Sequence, residues 1–194
     1  MKFNNDMLRL YAVTDRHWTG EQTLYEQVRD VLMGGATCLQ LREKDLDEAS
    51  FYEEAKNIKE LCRLFDVPFI INDNVMLAKE IDADGVHVGQ DDMACVKARE
   101  ILGPDKIIGV SAHTIEEARI AKEHGADYLG IGAIFPTSSK DDAEVLGIKR
   151  LKEMTDTVDL PMVAIGGISY DNCLLLKDTG IDGIAVISAL FGQK

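Results

Sequence analysis

The sequence has few of the residues that mark disulfide-rich, zinc-binding or membrane-spanning proteins. Its four cysteines, Cys38, Cys62, Cys95 and Cys173, are scattered and form no C-x-x-C pair, so neither a disulfide framework nor a zinc site is indicated. Its four histidines form no H-E-x-x-H motif, which is the spacing of a common metalloprotease site. No stretch is long and apolar enough to span a membrane, and residues 1–6 lack the apolar core of a signal peptide. We therefore expect a cytoplasmic protein with reduced cysteines and no membrane partner.

Positive charge is also scarce. Lysine and arginine number 21 against 34 aspartate and glutamate residues, which gives a net charge of −13 and a pI of about 4.7. Because the sequence contains no basic patch, no nucleic-acid partner is expected. An acidic protein that binds phosphate must concentrate its few cations locally, so their positions are informative.

The sequence does contain a regular alternation of short β-rich runs and helical runs. The predicted strands are residues 8–13, 38–42, 69–71, 85–88, 107–110, 128–132, 162–165 and 183–187. The predicted helices are residues 23–33, 47–65, 74–81, 93–102, 114–124, 148–155 and 170–179. Strict alternation implies a parallel sheet. Eight units favour a closed (β/α)₈ TIM barrel over an open doubly wound sheet, since no G-x-G-x-x-G opens the first helix. We expect residues 1–194 to form one α/β domain, a size that 46% hydrophobic residues can support.

The second predicted strand carries polar side chains on one face. Because side chains alternate along a strand, Gln40, Arg42 and Lys44 share one face while Leu39 and Leu41 share the other. The leucines can pack under a helix, which leaves the polar residues facing the space that the strands enclose. Two cations at the end of a buried strand are costly unless an anion meets them. We interpret this face as one wall of a pocket for a phosphorylated ligand; the alternative is an edge strand whose cations are simply hydrated.

Other polar residues fall at the carboxyl ends of the predicted strands, which meet at one mouth in a barrel. They are Asn72, Asp73, Gln90, Asp91, Asp92, Ser111, His113, Thr137, Ser139, Lys140 and Ser188, together with Gly166, Gly167 and Ile187. The plainer explanation is that loops are polar everywhere. It accounts less well for amides, carboxylates and cations that alternate around one ring.

Two of these groups suggest specific binding roles. Asp73 and one of Asp91 or Asp92 can hold Mg²⁺, which takes one or two carboxylates plus water and phosphate oxygens; helix capping is the alternative. Gly166-Gly167 and Ser188 follow the last two strands, where barrels often bind a phosphate on backbone N–H groups.

Lys140 lies in a polar loop that we interpret as a mobile lid carrying a charge to the ligand; the alternative is an ordinary solvated lysine. His113 is either an acid or base or a hydrogen-bonding wall, the second being the commoner role. His87, inside an apolar strand, is interpreted as a core histidine with its hydrogen bonds satisfied.

At these positions the chain resembles the thiamine phosphate synthase family. The matching stretches are LYAVTD (10–15), QLREK (40–44), IND (71–73), DGVHVGQDD (84–92), GVS (109–111), ADYLG (126–130), FPTSSK (135–140), AIGGI (164–168) and AVISA (185–189). They span almost the whole chain in the family's order, and together they are far more specific than any one motif.

The resemblance implies a TIM barrel that joins hydroxymethylpyrimidine diphosphate to a thiazole phosphate, often carboxylated, with Mg²⁺ as cofactor and pyrophosphate as product. Asp73 and Asp92 are then the metal ligands. The implied substrate-binding residues are Gln40, Leu41, Arg42, Glu43, Lys44, Asn72, Ser111, Thr137, Ser138, Ser139, Lys140, Gly167, Ile187 and Ser188. Of these, Arg42, Lys44, Ser111 and Lys140 are implied to act in catalysis.

Two departures from the family pattern and two rival functions accompany this resemblance. Ser139 stands where threonine is commoner. The chain ends at Lys194, where relatives usually carry a final helix, so we expect that helix to be lacking. The N-terminal segment or a partner subunit in a homo-oligomer would then cover the first and eighth strands. The rivals are a thiazole tautomerase-like isomerase that uses His113, and a barrel that binds thiamine precursors without turnover.

Overall fold

A computed structural model describes residues 2–90, 95–137 and 144–192. Its eight strands are β1 (Leu10–Val13), β2 (Cys38–Leu41), β3 (Phe69–Asn72), β4 (Gly85–Val88), β5 (Ile107–Ala112), β6 (Tyr128–Ile131), β7 (Met162–Ile165) and β8 (Gly183–Val186). Each strand pairs in parallel with its neighbour in sequence, and the pairing of Leu10 with Ile184 joins β1 to β8. The sheet is therefore a closed barrel, and the predicted (β/α)₈ fold is confirmed.

In the described part of the chain, six helices connect strands on the outside of the barrel, and a short seventh helix follows the last strand. They are α1 (Leu24–Met33), α2 (Glu48–Leu64), α3 (Val75–Glu80), α4 (Cys95–Leu102), α5 (Ile115–Glu123), α6 (Gly147–Thr157) and α7 (Ser188–Phe191). Asp47 caps α2 as predicted, because its carboxylate accepts the N–H of Ser50 at 3.0 Å. None of the helices in the described part of the chain is long and apolar enough to cross a membrane.

The predicted helix at residues 170–179 is wrong. Between β7 and β8 the chain forms a 3₁₀ turn over Cys173–Leu176. The side chain of Asn172 accepts the N–H of Ser169 and donates to the carbonyl of Gly167, both within 2.9 Å. Side-chain bonds of this kind give the backbone an alternative to helical pairing.

The two ends of the described chain lie against the barrel. A 3₁₀ turn over Asn5–Leu8 displaces the predicted start of β1 from residue 8 to Leu10. Phe3 and the buried Met7 and Leu8 of this segment pack against the barrel interior. At the other end, β8 is followed by the four-residue helix α7, so the last helix that the structure describes is short.

Two hydrophobic layers surround the barrel wall. Side chains that point outward from the strands, such as Leu39 and Leu41, pack with the helices in the larger cluster. Side chains that point inward, such as Tyr11, Cys38 and Tyr128, form a smaller cluster inside the barrel. This arrangement agrees with the alternation predicted for the second strand, and it leaves the carboxyl ends of the strands open for a site.

Candidate active site

A cavity of about 580 Å³ lies inside the barrel and opens at the carboxyl ends of the strands. Its volume is within the range of small-molecule sites. The predicted site residues that line it are Gln40, Arg42, Lys44, Asn72, Asp73, Ser111, Thr137 and Ile187. These residues are far apart in sequence, and the barrel brings them to one mouth.

Among the described residues, two cationic side chains line the cavity, Arg42 and Lys44, and both lie just after β2. Gln40 is buried and donates to the Tyr11 hydroxyl at 2.9 Å, which fixes the orientation of its amide. Arg42 is tied to the loop after β1, since its N–H donates to the Thr14 hydroxyl at 2.9 Å. The Arg42 guanidinium also lies 3.7 Å from the carboxylate of Asp15. Lys44 follows on the exposed rim. A protein with a large net negative charge thus presents two positive charges to this cavity.

The end of β3 contributes an amide and a carboxylate. Asp73 has φ of 62°, in the left-handed region that few non-glycine residues adopt. Its N–H donates to the carbonyl of His87 at 2.8 Å, and the Asn72 amide donates to its carboxylate. Because unusual backbone conformations cluster at functional sites, the geometry of Asp73 is consistent with a ligand-binding role.

The second predicted metal ligand cannot be placed in this way. Asp91 and Asp92 lie outside the described residues. Within the described ranges, no three histidine, cysteine, aspartate or glutamate side chains form a cluster suited to a metal ion. A single carboxylate is nonetheless enough for Mg²⁺ when phosphate oxygens and water supply the other ligands, so Asp73 fits that donor set.

A chain of hydrogen bonds forms the floor of the cavity. From Gln40 it continues through Tyr11 to Tyr128 (2.7 Å between hydroxyls), then to His87 Nδ1 (3.0 Å), and ends with His87 Nε2 at the Ser111 hydroxyl (3.0 Å). Burial raises the pKa of both tyrosines, and each lies close to the other. The phenols are therefore neutral hydrogen-bonding groups. His87 has its hydrogen bonds satisfied, as predicted, but it also lines the cavity.

Glycines make room for this network. A Cβ on Gly109 would lie 2.1 Å from the Tyr128 ring and 2.5 Å from His87 Nδ1, and one on Gly130 would lie 3.0 Å from His87 Cε1. The sequence predictions missed Tyr11, Tyr128 and these two glycines as parts of the site. The sequence did contain one indication of this network. Two glycines lie inside apolar strands, and a glycine in a strand often marks close approach by another group.

A smaller cavity of about 20 Å³ adjoins the first at the ends of β7 and β8. Thr137, Gly167, Ile187 and Ser188, all predicted, line it. Gly167 has φ of +63°, and a Cβ there would lie 2.3 Å from the carbonyl oxygen of Pro136. Glycine is therefore required at this position, and the backbone comes close to any group held there.

Two of the predicted site residues in the described part of the chain, Leu41 and Glu43, do not line either cavity. Leu41 is fully buried between the barrel and the helices, because its position in the strand points outward. Glu43 is turned away from the cavity, and its side chain is 2% exposed against Arg16. Ser138, Ser139 and Lys140 lie outside the described residues.

His113 lines the cavity with Nδ1 3.3 Å from the Glu117 carboxylate.

A site at the carboxyl face of an eight-stranded parallel barrel, with cations and amides on one wall, is typical of a TIM-barrel enzyme that acts on a small molecule. Comparison with known proteins specifies the family. The thiamine monophosphate synthase family matches residues 10–190. The chain belongs to this family, whose named members are transferases.

Individual relatives cover nearly the whole chain. A thiamine-phosphate synthase of Clostridium acetobutylicum is 49% identical over 186 residues, which cover 96% of this chain and 88% of that protein. The Methanobrevibacter smithii thiamine-phosphate synthase is 47% identical, covering 98% and 91%. The solved thiamine phosphate pyrophosphorylase of Pyrococcus furiosus superposes with a TM-score of 0.90 at 44% identity, covering 98% of this chain and 90% of that one.

Proposed function

We propose that this protein is a thiamine phosphate synthase. It would join hydroxymethylpyrimidine diphosphate to a thiazole phosphate, carboxylated or not, and release pyrophosphate. The observation that carries the proposal is the gathering of Gln40, Arg42, Lys44, Asn72, Asp73 and Ser111 around one cavity, in a chain that matches this family over residues 10–190.

The β2 wall suits the pyrimidine diphosphate. Arg42 and Lys44 supply positive charge and N–H donors to the diphosphate oxygens, and Asn72 adds an amide beside them. Gln40 is held in place by Tyr11, so its amide presents a fixed orientation to the pyrimidine ring. Ser111, bonded to His87, lies across the cavity from this wall. A rigid first set of contacts is what a positioning site needs.

Mg²⁺ is part of the proposal. Asp73 at the cavity wall and Asp92, which lies outside the described residues, would hold the ion together with diphosphate oxygens. When bound, the ion neutralises charge on the diphosphate. Arg42 and Lys44, which follow β2, would neutralise the same charge, and Lys140, which lies outside the described residues, would add a third positive charge.

The reaction requires little proton transfer. The C–O bond between the pyrimidine methylene and the diphosphate breaks, and its electron pair leaves with pyrophosphate. The electron-rich aminopyrimidine stabilises the carbocation-like centre that results, and the thiazole nitrogen donates its lone pair to form the new C–N bond. With a carboxylated thiazole, the carboxylate leaves as CO₂, and the electron pair that remains on the thiazole takes up one proton from water. Stabilising the leaving charge and aligning the two substrates are therefore the main tasks of the protein.

The smaller cavity suits the phosphate of the thiazole. Gly167 brings backbone close to that cavity, and Ser188 and Thr137 add hydroxyl groups beside it. Ser139, in the same loop as Thr137, is assigned to this phosphate as well. Because the two cavities share Thr137 and Ile187, the substrates would meet within the barrel mouth.

The test is a pyrophosphate-release assay with both substrates, with and without Mg²⁺. Synthesis predicts release that needs both substrates and the metal, with thiamine phosphate formed in equal amount. Conversion of a thiazole isomer without pyrophosphate release would instead identify the His113 isomerase. Saturable binding of both substrates with neither reaction would identify the precursor-binding barrel, and either result would refute the proposal.

A further inference from the structure

Arg16 joins three separate segments of the barrel mouth. It lies in the 3₁₀ turn over Arg16–Trp18, directly after β1. Its Nε donates to Glu43 Oε2 at 2.8 Å, and its Nη2 lies 2.6 Å from Glu54 Oε2 on α2. The loop after β1, the loop after β2 and the first half of α2 are thus connected through one guanidinium.

The Glu43 carboxylate faces this guanidinium and the backbone, not the cavity. While Oε2 accepts from Arg16, Oε1 accepts the N–H of Lys44 at 3.1 Å and that of Asp45 at 3.4 Å. The Glu43 side chain is 2% exposed. The carboxylate therefore fixes the backbone at Lys44 without touching the space in which a ligand would lie.

The same pair of loops is connected at two further points. The Thr14 hydroxyl accepts the N–H of Arg42 at 2.9 Å and donates to its carbonyl at 3.3 Å. The Asp15 carboxylate lies 3.7 Å from the Arg42 guanidinium. Thr14, Asp15 and Arg16 after β1 thus contact Arg42 and Glu43 after β2. These contacts position the cations Arg42 and Lys44.

The cluster carries an electrostatic cost as well as a gain. Two partly buried carboxylates share one guanidinium, and taking such charges out of water costs free energy that their attraction repays only in part. Burial raises the pKa of Glu54, opposed by Arg16, whereas the hydrogen bonds from Arg16 and the backbone outweigh burial at Glu43 and lower the pKa of that carboxyl. A device that fixes geometry at some cost in stability is consistent with a functional role.

We propose that Arg16, Glu43 and Glu54, here called the Arg16 clamp, are positioning residues that hold Lys44 and Arg42 in register to bind the pyrimidine diphosphate. The inference rests on the proposed function and deepens it. It states that residues outside the cavity determine the affinity for the pyrimidine diphosphate but not for the thiazole phosphate. Small misplacements of a binding group are costly when the ligand must be aligned for reaction.

The clamp predicts a split between the two substrates. Arg16→Gln removes the shared cation, which frees the loop after β2. We expect KM for the pyrimidine diphosphate to rise about tenfold or more, while KM for the thiazole phosphate changes less than about twofold. The inhibition constant of pyrophosphate alone should rise in parallel with the first value. Arg16→Lys keeps the charge but not the fork that reaches both carboxylates, so its effect should be intermediate.

Two further variants separate positioning from folding. Arg63→Gln removes an exposed ion pair with Glu60 on α2 and should leave every constant at the wild-type value. Glu54→Gln is milder than Arg16→Gln, since Glu43 remains as a partner for Arg16. It should raise KM for the pyrimidine diphosphate about threefold and leave KM for the thiazole phosphate nearly unchanged, and it provides this test even if Arg16→Gln does not fold. Equal changes for the two substrates, or none, in a folded Glu54→Gln variant would overturn the inference.

A double-mutant cycle tests whether the clamp acts through Lys44. If it does, Arg16→Gln should add less than about twofold to the loss already caused by Lys44→Ala. Multiplying effects would contradict action through Lys44. Failure of the proposed function can be distinguished from failure of the clamp proposal, because in the first case the wild-type protein would release no pyrophosphate. Pyrophosphate binding, followed by calorimetry on wild type and Glu54→Gln, still tests the clamp in that case, and equal affinities would overturn it.

Discussion

The hydroxyl groups of Tyr11 and Tyr128 lie 2.7 Å apart inside the barrel, joining β1 to β6 across its interior. Each hydroxyl has a second partner that lines the cavity: Gln40 for Tyr11 and His87 for Tyr128. The packing of the barrel interior and the orientation of the site are thus connected through two phenols.

Replacing Tyr128 by phenylalanine tests that connection. Tyr128→Phe leaves the buried Tyr11 hydroxyl and His87 Nδ1 each with one partner fewer. A buried hydrogen bond contributes about 0.5–1.5 kcal/mol, and the variant removes two of them, so we expect a loss of about 1–3 kcal/mol in the free energy of unfolding, measured by urea denaturation. Tyr25→Phe is the control, because Tyr25 is 43% exposed and should change stability by less than about 0.5 kcal/mol. Equal stability of the two variants would contradict the role given to the network.

Lys44 and His113 are expected to differ in importance. Lys44→Ala should lower kcat/KM by about 100-fold or more, because it removes a charge from the proposed diphosphate site. His113→Ala should lower it by less than about tenfold, since the proposed synthesis needs no acid or base at that position. Both variants should keep the wild-type far-UV circular dichroism spectrum. Complete inactivation of a folded His113→Ala protein would favour the isomerase.

Asp73 can be tested without disturbing its backbone. Asparagine tolerates the left-handed region as well as aspartate does, so Asp73→Asn removes charge while keeping shape. We expect a fall in kcat of about 100-fold and a rise in the Mg²⁺ concentration needed for half-maximal rate. Asp66 provides a matched control, being an exposed aspartate with φ of 55°. Asp66→Asn should leave the Mg²⁺ dependence unchanged, and the same response from both variants would rule out Asp73 as a specific ligand.

The cysteines should differ in reactivity toward Ellman's reagent. Burial raises the pKa of the Cys38, Cys62 and Cys95 thiols, so at pH 8 they carry less thiolate than ordinary cysteines. Cys173 is partly exposed. We expect native protein to show one fast-reacting thiol, which Cys173→Ser removes, while guanidinium chloride exposes all four. A second fast thiol in the native protein would contradict the burial of the other three.

Much of the fold could be predicted because it depends on local patterns. The alternation of strands and helices predicted the barrel, and the period of two in the second strand predicted that Leu39 faces outward and Gln40 inward. The helix at residues 170–179 was predicted wrongly since apolar spacing does not reveal that Asn172 bonds to the backbone around it. Leu41 was assigned to the site because it belongs to the family motif at residues 40–44. Its side chain faces outward, since neighbouring residues in a strand point to opposite sides.

The floor of the cavity was harder to predict. Tyr11 and Tyr128 are 117 positions apart, and each sits in a strand that reads simply as apolar. Their pairing follows from the closure of the barrel, which brings the inward faces of β1 and β6 together. The clamp was missed for the same reason: Arg16 and Glu54 have no local pattern in common, and contact between them follows from how α2 packs beside the first loop.

The N-terminal segment has a consequence for traffic through the barrel. Phe3 stacks on the Tyr128 ring with centroids 6.1 Å apart, and Met7 and Leu8 fill the amino end beside it. The barrel interior is therefore closed at its amino end. A ligand that enters at the carboxyl end must also leave there. A ligand bound at the deepest point of the cavity would have to enter before, and leave after, any ligand bound nearer the mouth.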